Sequence, residues 1–256
     1  MFRATQALVR NIHSQVAERI GTSIVGGQIA AGEALPSEMQ ICDMLGVSRP
    51  VVREAIRILT GKGLVQSRAK SGTRVRPPEQ WNQFDPDILR WHAATSDLDI
   101  YLAKLFALRR AVEPAAAALA ATAATDADKQ AIRDAWEMMA TARSDENYVR
   151  GDVAFHKSIF VATRNEFFWP MAQMFEVGLQ PSFKIAAPGN HRARSIAEHR
   201  AVMEAILAGD AAKATQATIV LLAHSASDLA RIKGAPPRKE GQIRQKHASS
   251  RDKGDM

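Results

Sequence analysis

Three arginines, Arg49, Arg53 and Arg57, follow one another at four-residue spacing. On a helix that spacing lines them along one face. A guanidinium fork there can grip a phosphate or the O6 and N7 atoms of a guanine. A second arrangement is Asp152 and His156, also four apart in the stretch Asp152-Val153-Ala154-Phe155-His156, with His199 farther along. A carboxylate and an imidazole one helical turn apart can reach a single ion. The same spacing also serves a surface ion pair, and a lone histidine such as His199 is equally a satisfied polar residue; the residues alone leave both readings open.

The elements that must position the arginines are legible around them. Val16, Ile20 and Ile24 recur at i, i+4 and i+8, an amphipathic helix that Gly26-Gly27 ends. After Leu35-Pro36, Ser37 with Gln40 three residues on forms a capping-box pattern. Ile41 and Leu45 then face inward, and Gly46 supplies a left-handed stop. Ser48 can cap a third helix, with Pro50 tolerated in its first turn. Val52, Ala55, Ile56 and Leu59 fall at i, i+3, i+4 and i+7, so Arg49, Arg53 and Arg57 project from the side opposite the core. Beyond Gly61-Lys62-Gly63, Leu64–Arg68 and Thr73–Arg76 read as strands of a basic hairpin around Ala69-Lys70-Ser71-Gly72. A glycine at such a tip lets backbone approach a phosphate or enter a minor groove. Two capped helices in tight succession followed by a basic wing predict a winged helix-turn-helix of three helices and a small β-hairpin.

The chain has 256 residues, a formal charge of +7 and a single cysteine, Cys42. One cysteine cannot form an intrachain disulfide, which excludes stapled secreted scaffolds. No stretch of about 18 apolar residues occurs and Met1–Ile20 lacks the apolar core of a secretion signal, so a cytoplasmic protein without a membrane partner is expected. The charge is uneven. Residues 1–78 hold 11 basic against 5 acidic residues, 79–233 hold 17 against 19, and 234–256 hold 6 against 3. That asymmetry suggests a basic module at 1–78, a linker at 79–92 opened by Pro77-Pro78, a nearly neutral module at 93–233, and a disordered basic tail at 234–256. From about Asp85 to Lys233 strand signals are absent. The predicted helices are Leu98–Ala124 interrupted near Pro114, a segment from Thr125 or Asp126 through Met139, Asn147–Thr163, Glu166–Gly178, Ala193–Ala208 and Asp210–Ile232. The fold class expected is mainly α, a winged helix-turn-helix joined to an all-α bundle.

Two groups of motifs carry a family resemblance. Leu35-Pro36-Ser37-Glu38, then Leu45-Gly46-Val47-Ser48-Arg49-Pro50-Val51-Val52-Arg53-Glu54-Ala55-Ile56, then Leu59 and Gly63-Leu64-Val65, closely resemble the winged-helix domain of GntR-type transcriptional regulators over about residues 12–76. That resemblance implies that Ser48, Arg49, Val51 and Arg53 form the DNA-facing start of the recognition helix, with Gly72 at the wing tip. Met39 departs from the pattern, since some relatives carry a basic residue there. Glu38 and Glu54 are expected to orient neighbouring arginines or cap helices. Leu108-Arg109-Arg110-Ala111-Val112-Glu113-Pro114, Asp152-x-x-Phe155-His156, Asn165, Glu198-His199 and Gly209-Asp210 resemble the helical effector (FCD-type) domain of the FadR subfamily. By that resemblance Asp152, His156 and His199 match three of four ligands of a divalent metal, Zn or Ni in type. The fourth falls at Leu221, which cannot ligate, and His224 lies one turn farther on. Trp81–Trp91 resembles the linker of the sugar-acid branch, which implies an aldonate-type effector. Arg109 would then pair the effector carboxylate, with Asp152, His156 and His199 binding hydroxyls directly or through the ion; Arg109 can also form an ion pair with Glu113 at i+4.

The function expected is a sequence-specific repressor, a homodimer on a palindromic operator, controlled by a small acid effector. A metal-dependent hydrolase of sugar-acid lactones is the alternative from another class, although no general base accompanies the three ligands and an enzyme has no need of a basic wing. A nucleoid-coating protein that binds DNA without sequence preference is a weaker third reading.

Overall fold

The computed structural model describes residues 12–68, 72–179 and 192–234, with side chains through Asp228. The ends of the chain, including the tail after 234, and Ala69-Lys70-Ser71 of the wing lie outside the described residues.

Helix α1 (Ile12–Val25) buries Val16, Ala17, Ile20 and Ile24, the stripe its periodicity predicts, and stops at Gly26 and the left-handed Gly27 (φ +76°). Helix α2 (Glu38–Leu45) opens on a complete capping box. Ser37 Oγ accepts from the Gln40 amide, and Gln40 Oε1 accepts from the Ser37 amide at 2.8 Å. Gly46, at φ +64°, closes it. Helix α3 (Arg49–Gly61) buries Val52, Ala55, Ile56 and Leu59. Ser48 occupies its N-cap in an extended conformation, but its hydroxyl makes no capping bond. Strands β1 (Val65–Arg68) and β2 (Gly72–Val75) pair antiparallel, Val65 opposite Val75. A contact not evident from sequence pins the hairpin: the backbone from Gly32 to Leu35 hydrogen-bonds along the other edge of β2.

The stretch expected to be a linker, 79–92, is folded. After a 3-10 turn at Pro78–Gln80, Trp81 is buried and donates its indole N–H to the Arg76 carbonyl at 2.8 Å. Helix α4 (Pro86–Thr95), capped by Asp85, sends Ile88 and Trp91 into the winged-helix core and Leu89 into the core of the helical domain. Lys62 at the end of α3 holds the start of α4 through Asp85 (2.8 Å) and Asp87 (2.6 Å). The Trp91 ring lies on the bare backbone of Gly21, where an added Cβ would fall 2.4 Å from it. The apolar signals of 79–92 are thus core positions, which a reading of Pro77-Pro78 as a boundary misses.

The second core belongs to helices alone. Helix α5 (Leu98–Ala123) runs unbroken through Pro114, contrary to the expected interruption. Proline removes one amide donor, but Pro114 is itself buried and the helix continues through it. Helix α6 (Asp126–Ala140), capped by Thr125, packs on α7 (Asp145–Ala162), capped by Ser144. Their approach is close, since a Cβ on Gly151 would fall 2.5 Å from the Met139 backbone nitrogen. Helix α8 (Trp169–Gly178) starts later than expected because Arg164 is left-handed (φ +53°) and the Asn165 side chain accepts from the Phe167 amide, a turn rather than a helical start. Helices α9 (Arg192–Leu207) and α10 (Ala211–Gly234) form a hairpin about Gly209 (φ +75°). No described helix is long and apolar enough to cross a membrane.

Two glycines therefore mark forced contacts. Gly21→Ala and Gly151→Ala should each lower stability by about 1–3 kcal/mol despite the better helix propensity of alanine. Gly61→Ala, whose Cβ would meet nothing within 4 Å, should be neutral or slightly stabilising. Urea denaturation of the three variants checks the contrast.

Candidate functional site

Two separate sites emerge, one on the surface of α3 and one inside the helical domain. On α3 the buried positions fix the rotation of the helix, so Arg49, Arg53 and Arg57 all point to solvent. Arg53 Nε donates to Glu38 Oε2 at 2.9 Å, and Arg57 makes two bonds to Glu54 at 3.0 and 2.9 Å. Glu38 and Glu54 thus orient arginines, as expected. Hydrogen bonding to Arg57 holds the Glu54 carboxyl below its ordinary value and raises that of Arg57. Arg49 lies with Nη2 3.7 Å from the sulfur of Met39. Ser48 is exposed at the amide-rich start of the helix, and Val51 is half-buried beside it. Gly72, exposed at φ +74°, opens β2 next to the wing tip. Arg74 bonds the Gly32 carbonyl and Arg76 bonds Gln80, so both tie the wing to its base. The arrangement presents a row of cations, steered by carboxylates, on the free face of the second helix of a helix-turn-helix, the geometry that reads a major groove.

The interior site gathers residues from three helices. His199 of α9, 2 % exposed, has Nε2 at 3.1 Å from Asp152 Oδ1 and 3.4 Å from His156 Nε2, both on α7. The remaining ring nitrogens are committed elsewhere. His199 Nδ1 lies 2.7 Å from the Ser195 carbonyl, and His156 Nδ1 lies 3.0 Å from Glu113 Oε2 of α5. Held outward through Nδ1, the two rings turn their Nε2 atoms toward each other, and His199 Nε2 toward Asp152 as well. Phe155 packs edge-on against both rings and fixes their planes. One ligand atom from each of Asp152, His156 and His199 lies within 4.8 Å of the others. Two imidazole nitrogens and a carboxylate oxygen converging on one another need a proton or a cation among them, and the donor set suits a divalent metal held by three ligands. Glu113 and the Ser195 carbonyl then supply the outer hydrogen bonds that fix ligand tautomers.

Arg109, buried, gives Nε to Glu113 Oε1 at 2.5 Å, and its Nη2 lies 3.5 Å from His156 Nε2. The i+4 ion pair foreseen as one option thus forms, and it borders the ligands. Burial pushes Glu113 up, but the charges and hydrogen bonds of Arg109 and His156 outweigh it and bring the carboxyl down to about 2. Asp152 is treated likewise: burial raises it, while its hydrogen bond to His199 and the charges of His199, His156 and Arg109 hold it below its ordinary value. Around the ligands, Tyr148 bonds Ser195 at 2.8 Å, and burial lifts its hydroxyl to about 12. Leu221 is buried against this site, whereas His224 is exposed and bonds Glu198 instead. The structure does not bring His224 to the cluster. Sequence reasoning gave Glu113 no place in the site; a glutamate in an alanine-rich buried stretch was the available signal.

Against known proteins, residues 12–75 match the family of bacterial regulatory proteins of the gntR family, and residues 104–224 match the FCD domain. The chain belongs to the GntR family: it is a DNA-binding transcriptional regulator with an FCD domain, and not an enzyme. It is similar to the galactonate operon transcriptional repressor of Escherichia coli K12, at 30 % identity over 221 residues covering 83 % of this chain and 94 % of that protein. It is also similar to the putative L-lactate dehydrogenase operon regulatory protein of the same strain, at 31 % identity over 224 residues covering 85 % and 84 %. Among solved structures, Lar, which controls expression of the Listeria monocytogenes agr system, shares the fold with a TM-score of 0.56 at 18 % identity, covering 90 % of this chain and 99 % of that one. None of these matches supports the lactone-hydrolase alternative.

Glu113 gives this site a measurable signature. Its folded value lies below the ordinary 4.5, so its contribution to stability is complete above about pH 5 and is lost as the pH falls toward 2. Glu113→Gln leaves Arg109 buried without its counter-charge and should cost about 3–5 kcal/mol at pH 7. The acid-side slope of stability should become shallower in the variant, as read by denaturation across pH 2–7.

Proposed function

We propose that this protein is a ligand-responsive repressor, a cytoplasmic homodimer that grips a palindromic operator with two copies of α3 and responds to a small acid effector in its helical domain. The observation that carries the reading is the combination in one chain of a cation-lined, solvent-facing α3 and a largely buried, convergent donor set on α7 and α9. Ser48, Arg49, Val51 and Arg53 approach the major groove, with the helix N-terminus and Ser48 suited to phosphate. Gly72 lets the wing backbone approach the duplex. A two-fold dimer sets the recognition helices about one DNA turn apart.

Asp152, His156 and His199 hold a divalent ion of Zn or Ni type, which when bound supplies a positive centre for a carboxylate and an adjacent hydroxyl. Arg109, beside them, offers a second cation to the same carboxylate, on exchanging part of its pairing with Glu113. Similarity to the galactonate operon repressor supports a sugar acid as the effector. To act as a switch the effector need only favour one arrangement of the two wings, about 1.4 kcal/mol of differential binding for each tenfold change in population ratio.

Arg53→Ala should lose about tenfold or more in specific operator affinity while remaining folded and dimeric; an unchanged footprint would refute the assignment of α3. Thermal-shift screening against sugar acids, with and without chelator, tests the interior. A sugar acid should raise Tm, the rise should shrink in chelator, and His199→Ala should abolish the chelator sensitivity. A shift by sugar acids indifferent to chelator and to His199→Ala would rule out the metal.

A further inference from the structure

Met39 stands apart from the other side chains of α2. It lies in the first turn of that helix, 55 % exposed, and Ile41 rather than Met39 serves the core. Two contacts tie this turn to the first turns of α3: Glu38 to Arg53 at 2.9 Å, and the sulfur of Met39 to Arg49 Nη2 at 3.7 Å. Met44, still more exposed, is unlike it, because Met44 lines the groove that α2 forms with Arg19, Ile20 and Ser23 of α1. Met39 therefore places an unbranched apolar side chain among the charged groups of the helix-turn-helix face, its sulfur 3.7 Å from the Arg49 guanidinium.

We infer that Met39 is a specificity-determining residue that reads the C5-methyl group of a thymine, beside the base gripped by Arg49. This rests on the assignment of α3 as the recognition helix. The chemistry follows from what each partner lacks. A thioether has no strong donor or acceptor, so it gains free energy at a DNA surface only by burying carbon against carbon. The apolar group that the base edges of the major groove present is the thymine methyl. Arg49 supplies the polar half of the reading, a bidentate fork suited to guanine O6 and N7. Because the Arg49–Met39 contact joins the two side chains, the guanine and the thymine lie within one or two base pairs of each other in each half-site.

The experiment uses full-length protein and duplex DNA. Operator half-sites are selected from a random duplex pool, and deoxyuridine, which lacks only the methyl, then replaces thymine at each position in turn. One symmetric pair of positions should be sensitive, each methyl removed weakening binding about fourfold. Met39→Ala should bind the thymine and deoxyuridine duplexes alike, with an unchanged melting temperature, and Met39→Leu should restore part of the discrimination. Insensitivity to deoxyuridine at every position, or full discrimination kept by Met39→Ala, overturns the proposal. Arg49→Ala in parallel separates the two levels: if it leaves selective binding intact, the recognition-helix assignment has failed, whereas lost affinity in Arg49→Ala without methyl sensitivity condemns the Met39 reading alone.

Discussion

Among the described residues, the link between the DNA-binding domain and the helical domain centres on the seat of α4 against α1 and the end of α3. Trp91 lies flat on Gly21 because no side chain intervenes, and Lys62 reaches from the end of α3 to Asp85 and Asp87 at the start of α4. The Lys62 ammonium and the Asp85 carboxylate are largely removed from solvent, so their attraction is less screened than that of a surface pair. On its other side α4 contributes Leu89 to the helical core and packs on α8. A short helix with one residue in one core and two in the other cannot shift without disturbing both.

The interior site is organised by a different constraint, the cost of burying charge. Asp152, Glu113 and Arg109 all lie in a region that water hardly reaches, and each is tolerable because of the others. Glu113 is the hinge of this arrangement, taking Arg109 on one oxygen and His156 on the other. The two histidines in turn face each other through Nε2, with His199 Nε2 beside Asp152, because their outer nitrogens are already engaged. With two carboxylates against one guanidinium, the pocket calls for a further positive charge, carried by a histidine proton or by an ion.

Much of the DNA-binding half was legible in the residues, because its signals are local. Ser37 with Gln40, Gly46, and the apolar spacing from Val52 to Leu59 each act within one or two turns, and the structure bears them out. The basic hairpin was also local. What escaped was tertiary: the strand-like pairing of Gly32–Leu35 with β2, the capture of Trp81, Ile88 and Trp91 by the first core, and the survival of α5 across Pro114. Each is decided by a surface contributed from elsewhere in the chain. The interior site shows the same division. The Asp152–His156 spacing is visible in the sequence, and its partnership with His199 was reached through family resemblance. The role of Glu113, fixed by the meeting of α5 and α7, was not.

The seating of α4 also bears on how such proteins can be recombined. The proline pair at 77–78 looks like a natural seam, yet a cut there would strip the winged helix of Trp81, Ile88 and Trp91 and leave Gly21 facing an empty slot. A graft of this DNA-binding unit onto another effector domain needs to carry α4 along, with its junction at Ser96-Asp97, and the recipient then has to supply a surface for Leu89. Exchange of binding specificities between such regulators is thereby limited to partners whose helical domains already fit that one leucine.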